Sequence, residues 1–358
     1  MVNKSYTPFL KLKVNEVSGY YQLSDHIKDA IRPFFDLPMK KGLDSTSFPD
    51  MAEKSARKLK RYVGDRAFFI DNIDIPDSVL VGGADSYAYV LDLFSKSNVI
   101  PVLGLDRSPG HNAAVFRAKK NGDLPSDLVA LRILPDEFVD FELVEDELKD
   151  LLAEGGGLFG GWILILDCRV CCGQDEKKLS ETLSSFIKKA HASIGFDDYV
   201  VTGSSLPASI SEIVKAGKEL TQRRVELVAF RLFAKSMEMR VNFGDYTVVS
   251  PLYSDVDMPP EMLLNVTTPK VIYSHEIFHA IKRGGALKTH PRGNRQYNDF
   301  ASDVVGAPYY RGENYSFGDK WLKERSVFGG KNVTPGTVLG PTINAHITFM
   351  ASEEPFFR

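Results

Sequence analysis

Eight short runs of apolar residues, rich in β-branched and aromatic side chains, recur through the first 250 positions of the chain. In order they are YTPFLKLK, IRPFFDLP, AFFIDNIDI, VIPVLGLD, LVALRIL, WILILDC, YVVTGSS and VNFGDYTVVS. Turn residues bound each run, and the stretches between them carry apolar residues at helical spacing: DMAEKSARKLKRYVG, DSYAYVLDLFSKS, EDELKDLLAEGG, DEKKLSETLSSFIKKAHASIG and SISEIVKAGKELTQRRVELVAFRLFAKS. Strand alternating with helix predicts a parallel sheet, and eight such units over about 250 residues is the usual size of a closed (β/α)8 barrel. An open doubly wound sheet is the rival, but it would carry a Gly-rich phosphate turn after its first strand, and KLKVNEVSGY has none. Beyond residue 250 the cadence stops, and aromatic residues and Gly turns take over. The expected organisation is an α/β fold: a TIM-like (β/α)8 barrel over 1–250, with a C-terminal aromatic- and Gly-rich extension over 251–358 packed on it.

Composition narrows the class without naming a chemistry. Hydrophobic content of 43% and charged content of 25% describe a soluble globular chain. A net charge of −3 argues against a broadly basic nucleic-acid surface and leaves room only for a local patch. The three cysteines, Cys168, Cys171 and Cys172, are too few and too close for a disulfide framework, so a reducing, cytoplasmic setting is expected. Neither a signal-peptide core nor a run of 18 apolar residues occurs, so no membrane association is expected.

One short motif stands apart from the cadence. In SHEIFHA, His275, Glu276 and His279 have the H-E-x-x-H spacing of zinc peptidases, and Asp299, twenty residues beyond His279, is placed to be a third ligand. Glu276 would then be the base that activates zinc-bound water. The motif needs both histidines on one helical face, yet the segment is poor in strong helix formers and only about nine residues separate Ser274 from Gly284. Read as strands, KVIYS and IFHAIKR would put the histidines on one face but roughly 13 Å apart, too far for one metal ion.

Read in order, YTPFLKLKVNE, IRPFFDLP, VVTGSSLP, FGDYTVVSP, IKRGG, NRQYNDFAS and ENYSFGD resemble the family called beta protein, found in bacteria and phages, over nearly the whole chain from Tyr6 to His346. The resemblance implies a strand pair ending in Arg-Gly at YSHEIFHAIKRG, with no zinc motif there. Where that family carries a Trp and two histidines near its C-terminus, this chain has TVLGPTINAHITF with His346 alone. The resemblance implies a setting in phage–host conflict, hence antiviral defence, and no defined activity.

Barrel chemistry is expected at the C-terminal ends of the strands. There the sequence sets Lys11 and Lys13 with Glu16 just after, Asp36, Asp71, Asp106, Arg107, Arg132, Asp167, Ser204, Ser205, Asp245 and Tyr246. Asp36, Asp71, Asp167 and Asp245 are the candidate catalytic residues, with Asp36 and Asp167 holding a divalent cation, Mg or Mn in preference to Zn. Lys11, Lys13, Arg132, Ser204, Ser205 and Tyr246 would bind the substrate. Such a rim suits metal-assisted hydrolysis of a phosphoester, the ligand being an anionic small molecule or a nucleic acid. The competing reading is that the acids and bases neutralise one another and orient the strands, leaving a non-catalytic protein that engages a phage or host partner. The C-x-x-C of Cys168 and Cys171 lacks a second cysteine pair, and GSSLP lacks the G-x-S-x-G elbow, so free thiols and hydrogen-bonding serines are expected.

Overall fold

The computed structural model describes residues 6–253, 267–327, 331 and 333–353. Its strands are, in chain order, β1 (Tyr6–Lys11), β2 (Phe34–Asp36), β3 (Phe68–Asp71), β4 (Leu80–Val81), β5 (Ala84–Asp85), β6 (Val99–Leu103), β7 (Leu128–Ile133), β8 (Gly161–Val170), β9 (Asp198–Ser204), β10 (Lys218–Arg223), β11 (Asn242–Asp245), β12 (Lys270–His275) and β13 (Phe278–Arg283). Eight of them close into a parallel barrel in the order β1, β11, β9, β8, β7, β6, β3, β2. These eight are the apolar runs singled out above, one strand per run, and the fold is a (β/α)8 barrel. The helices up to β11 are α1 (Val14–Tyr21), α2 (Asp25–Ala30), α3 (Phe48–Val63), α4 (Ser86–Leu93), α5 (Pro109–Lys120), α6 (Glu145–Glu154), α7 (Glu176–Ser193) and α8 (Val225–Ala234), with α1, α3, α7 and α8 in the outer ring.

Strand alternation sorts the core into two parts. Phe9, Phe34, Phe69, Ile100, Val102, Ala130, Ile163, Ile165, Val200 and Tyr246 fill the lumen. Phe9 and Phe34 stack with ring centroids 4.3 Å apart, and Phe69 continues the stack from Phe34 at 5.5 Å. Gly244 of β11 makes room for them, since a Cβ there would meet the Thr7 carbonyl oxygen at 2.7 Å and the Phe9 ring at 2.9 Å. Outward-facing residues of the same strands join the helices in a larger core.

One segment departs from the expected cadence. SISEIVKAGKELTQRRVELVAFRLFAKS, expected to be one helix, is a short 3-10 turn (Ile210–Glu212), strand β10 and helix α8. Gly217, at φ +72°, breaks the helix, and β10 finds its hydrogen bonds on β13, sixty residues away. A pairing at that separation leaves no trace in local helical spacing. The hairpin β12–β13 thus joins β10 in a three-stranded sheet. Helices Gln296–Gly306 and Phe317–Ser326 cover its outer face, and the helix Pro335–Glu353 packs on α1 and β12. Among the described residues no helix is long and apolar enough to cross a membrane.

Candidate functional site

The lumen changes character at the C-terminal ends of the strands. Above the stacked phenyl rings, Lys11, Asp36, Asp71, Arg132 and Asp167 continue the inward-pointing rows of β1, β2, β3, β7 and β8, and all are buried. Arg132 is the hub. Its Nη1 donates to Asp36 and to Asp71, each at 2.8 Å, and its Nε and Nη2 donate to Asp167 at 3.0 and 2.6 Å. Nη2 also meets the Tyr246 hydroxyl at 2.8 Å, while that hydroxyl donates to Asp167 at 2.5 Å. The guanidinium plane lies 4.9 Å from the Phe34 ring centroid, so its charge is held by carboxylates at its edge and by an aromatic face below.

Arg107 adds a second cation to Asp71 at 2.7 Å. The two aspartates that face Arg132 from β2 and β3 are thereby driven apart. Burial pushes Asp36 up to about 6 despite the neighbouring Arg132. Burial also opposes ionisation of Asp71, but Arg107 and then Arg132 outweigh it and hold that carboxyl down at about 2. Burial, helped by the charge of Asp36, lifts Glu16, which accepts from the Lys11 backbone N–H at 2.6 Å, to about 7. Divergent pKa values among neighbouring carboxyls are a common property of acid–base sites and also of structural ion networks.

The segment after β11 folds over this layer. Lys11 donates to the Pro251 carbonyl at 2.6 Å and lies 3.4 Å from the centroid of the Tyr253 ring, and Lys13 lies 4.3 Å from the same centroid. The Tyr253 hydroxyl donates to Asp74 at 3.0 Å, and Ser204 Oγ donates to the Val249 carbonyl at 3.0 Å. Arg169 reaches toward Tyr246, Asp74 and Asp167 from a bulge at the end of β8, where its φ is +50°. Thr247, beginning the covering segment, is also left-handed at +59°. Strained non-glycine backbone at the mouth of a barrel is where function concentrates. Beside the mouth opens a cleft of about 460 Å³, floored by Leu12, Val17 and Met51 and rimmed by Lys13, Lys40, Lys54 and Lys58. Among the described residues, the only carboxylate paired with these lysines is Asp50, 2.6 Å from Lys54.

Asp245 and Ser205 do not belong to this layer. Both were expected at the rim with the others, but Asp245 falls in the outward phase of β11 and lies on the far side of the barrel wall. There it accepts from Tyr6 at 2.7 Å, from Arg224 at 2.6 Å and from His346 Nε2 at 2.9 Å. Arg224 also meets Glu226 at 3.2 Å, and Ser205 donates to Glu226. On its other side His346 Nδ1 lies 2.6 Å from Ser274 Oγ, which lies 2.9 Å from His279 Nδ1. Burial lowers the pKa of both histidines, His279 the more strongly, which favours the neutral rings although Asp245 pulls the other way. With His346 Nε2–H donated to Asp245, its Nδ1 accepts the Ser274 proton and Ser274 Oγ accepts from His279 Nδ1–H. The chain Asp245–His346–Ser274 has the components of a nucleophilic triad. All its members are buried, which makes it a relay that ties the barrel wall to the extension.

The zinc reading fails on this geometry. His275 and His279 flank a two-residue turn, not a helical turn, with Glu276 at φ +44°. The expectation that strands would leave both histidines on one face fails too, because the chain reverses between them. Ser274 pairs with His279 and His275 with Phe278, which sets the two histidines on opposite faces of the hairpin. His275 stacks on Tyr309 at 4.3 Å, and Asp299 is engaged with Arg292 at the surface. Nor do Asp36 and Asp167 suit a divalent cation, since the Arg132 guanidinium stands between them and takes the oxygens a metal would need. Among the described residues no group of three or more His, Cys, Asp or Glu side chains is arranged to hold a metal ion.

Sequence reasoning missed Asp74, Arg169 and Tyr253 at the mouth, and Tyr6, Arg224, Glu226 and Ser274 in the outer relay. A signal existed for Arg169, two positions after Asp167 and so of the same inward phase. None existed for Ser274, whose partner lies 72 residues away.

The family model called Beta protein matches residues 6–352, and the chain belongs to that family. No curated protein matches it. Among solved structures it is similar to a glucosidase from Croceicoccus marinus (12% identity, TM-score 0.34, 51% of this chain and 45% of that one). It is also similar to triosephosphate isomerase from Bartonella henselae (14%, TM-score 0.32, 68% and 91%) and to a family 18 chitinase from Crocus vernus (10%, TM-score 0.34, 67% and 91%). This chain spans less than half the length of the glucosidase.

Proposed function

We propose that the C-terminal mouth of the barrel binds an anionic ligand of the phosphoester class, with an apolar portion resting in the cleft beside Lys11. The observation that carries this reading is the cleft's lining: lysines 13, 40, 54 and 58 converge on an apolar floor with one opposing carboxylate. Its volume suits a small ligand, and ammonium groups hold a phosphate as point charges. In this reading Asp36, the carboxyl that is half-protonated near pH 6, is the acid–base group for hydrolysis. Arg107 and Arg132 keep Asp71 ionised, Arg132 keeps Asp167 ionised, and Tyr253 covers the layer.

A second reading is favoured by the completeness of the pairing around Arg132: a scaffold whose surface engages a phage or host protein. Calorimetric titration with phenyl phosphate, alongside turnover of p-nitrophenyl phosphate, separates the two. The first reading expects saturable binding weakened at least tenfold in a Lys40→Ala/Lys58→Ala double variant, and turnover lost in Asp36→Asn. Equal binding by wild type and the double variant sinks it and leaves the scaffold.

A further inference from the structure

The face of the β12–β13 hairpin that carries Ser274 and His279 has a second polar end. Following the strands away from the turn, Ile272 and Ile281 pair next, and then Lys270 lies directly opposite Arg283. Lys218 of β10 lies opposite Arg283 on its other side, so three cations stand abreast across one sheet. Like charges directly opposite on adjacent strands are destabilising unless something offsets them. No ion pair with a carboxylate is formed by Lys270 or Arg283 among the described residues. The next position of β13 shows that carboxylates are at hand: Lys282, on the opposite face, meets Glu219 at 2.5 Å and Asp303 at 3.4 Å.

The unneutralised pair borders a cavity of about 460 Å³ between the sheet, the 3-10 turn after β9 and the helix Pro335–Glu353. Ile210, Val248, Ile272, Val338 and Leu339 give it an apolar wall, while Thr268 and Thr342 supply hydroxyls. Arg283 is fixed in place, its Nε donating to Thr268 at 2.9 Å and its Nη1 to the Val214 carbonyl at 2.5 Å, which leaves Nη2 for a further acceptor. Lys270 is open to solvent yet walled by protein. That desolvation, with Arg283's charge adding to it, lowers the lysine's pKa. An anion placed between them would relieve both effects.

We infer that this cavity is a second binding site, distinct from the barrel mouth, for an amphipathic organic anion: a single carboxylate or phosphate head held by Lys270 and Arg283, with its apolar body against Ile272, Val338 and Leu339. The head is recognised by charge and by the open edge of a fixed guanidinium, and the body by burial of apolar surface.

Octyl phosphate and octylammonium are the probes, titrated calorimetrically into the full chain, with thermal unfolding followed in parallel. Octyl phosphate should bind saturably and raise the unfolding midpoint. Lys270→Met should weaken binding at least tenfold and itself raise the midpoint of the free protein, because it removes a like-charge contact and breaks no hydrogen bond. Lys282→Met on the opposite face, and the Lys40→Ala/Lys58→Ala double variant at the mouth, should leave this binding event unchanged. Unaltered affinity in Lys270→Met, or octylammonium binding as tightly as octyl phosphate, overturns the site. Loss of binding only in the mouth variant overturns it as well, and assigns the binding to the barrel mouth.

Discussion

The lumen cluster around Arg132 and the cluster around Asp245 lie on opposite sides of one barrel wall, and they keep buried charge in different ways. Inside, a single guanidinium is surrounded by three carboxylates, and their surplus negative charge is met by Arg107 and Arg169 from the strand ends. Outside, one aspartate gathers donors from a tyrosine, an arginine and a histidine, and the histidine passes the chain on to a serine and a second histidine. The inner cluster consists mainly of ion pairs made within the barrel. The outer one is a hydrogen-bond relay between barrel and extension. The inner cluster lies beside the lysine-rimmed cleft at the barrel mouth, which is why the functional reading rests there.

Removing the hub is the strongest way to break the comparison. Arg132→Met strands Asp36 and Asp167 in an apolar lumen and should destabilise the protein by about 3–5 kcal/mol in urea unfolding. A cost below about 1 kcal/mol would mean that water reaches the layer. Asp245→Asn should cost less, about 2–3 kcal/mol, because Arg224 keeps Glu226 and the neutral relay can still donate to an amide oxygen. If it matched the loss at Arg132, the outer cluster would depend on charge as much as the inner one.

A pH series sharpens the contrast with a smaller effect. The folded-state pKa of Asp36 is raised to about 6, so this group adds stability below its unfolded value near 4 and loses it as pH rises through 6. Urea unfolding of Asp36→Asn should therefore gain on wild type by about 2 kcal/mol between pH 4 and pH 7. The pKa of Asp245 is depressed, although burial opposes this, by His346 and then Arg224, and its contribution is present above pH 4 and lost on acidification. Asp245→Asn should show the opposite trend, losing its disadvantage as pH falls below 4. Parallel curves for the two variants would erase the distinction between the clusters.

The alternation of apolar runs and amphipathic stretches determined the barrel by itself, because both periods, 2 and 3.6, are local properties of the chain. Strand phase likewise brought Lys11, Asp36, Asp71, Arg132 and Asp167 to one rim, since residues ending parallel strands must meet there. Phase could not be fixed where the strand's end was misjudged, and so Asp245 was placed inside although it faces out. Tertiary structure alone decided the rest. The pairing of β10 with β13, the reversal that parts His275 from His279, the seat of His346 between Asp245 and Ser274, and the opposition of Lys270 to Arg283 all join residues with no local signal linking them. Such contacts are set by which surfaces remain to be buried once the barrel has closed, and that is a property of the assembled molecule.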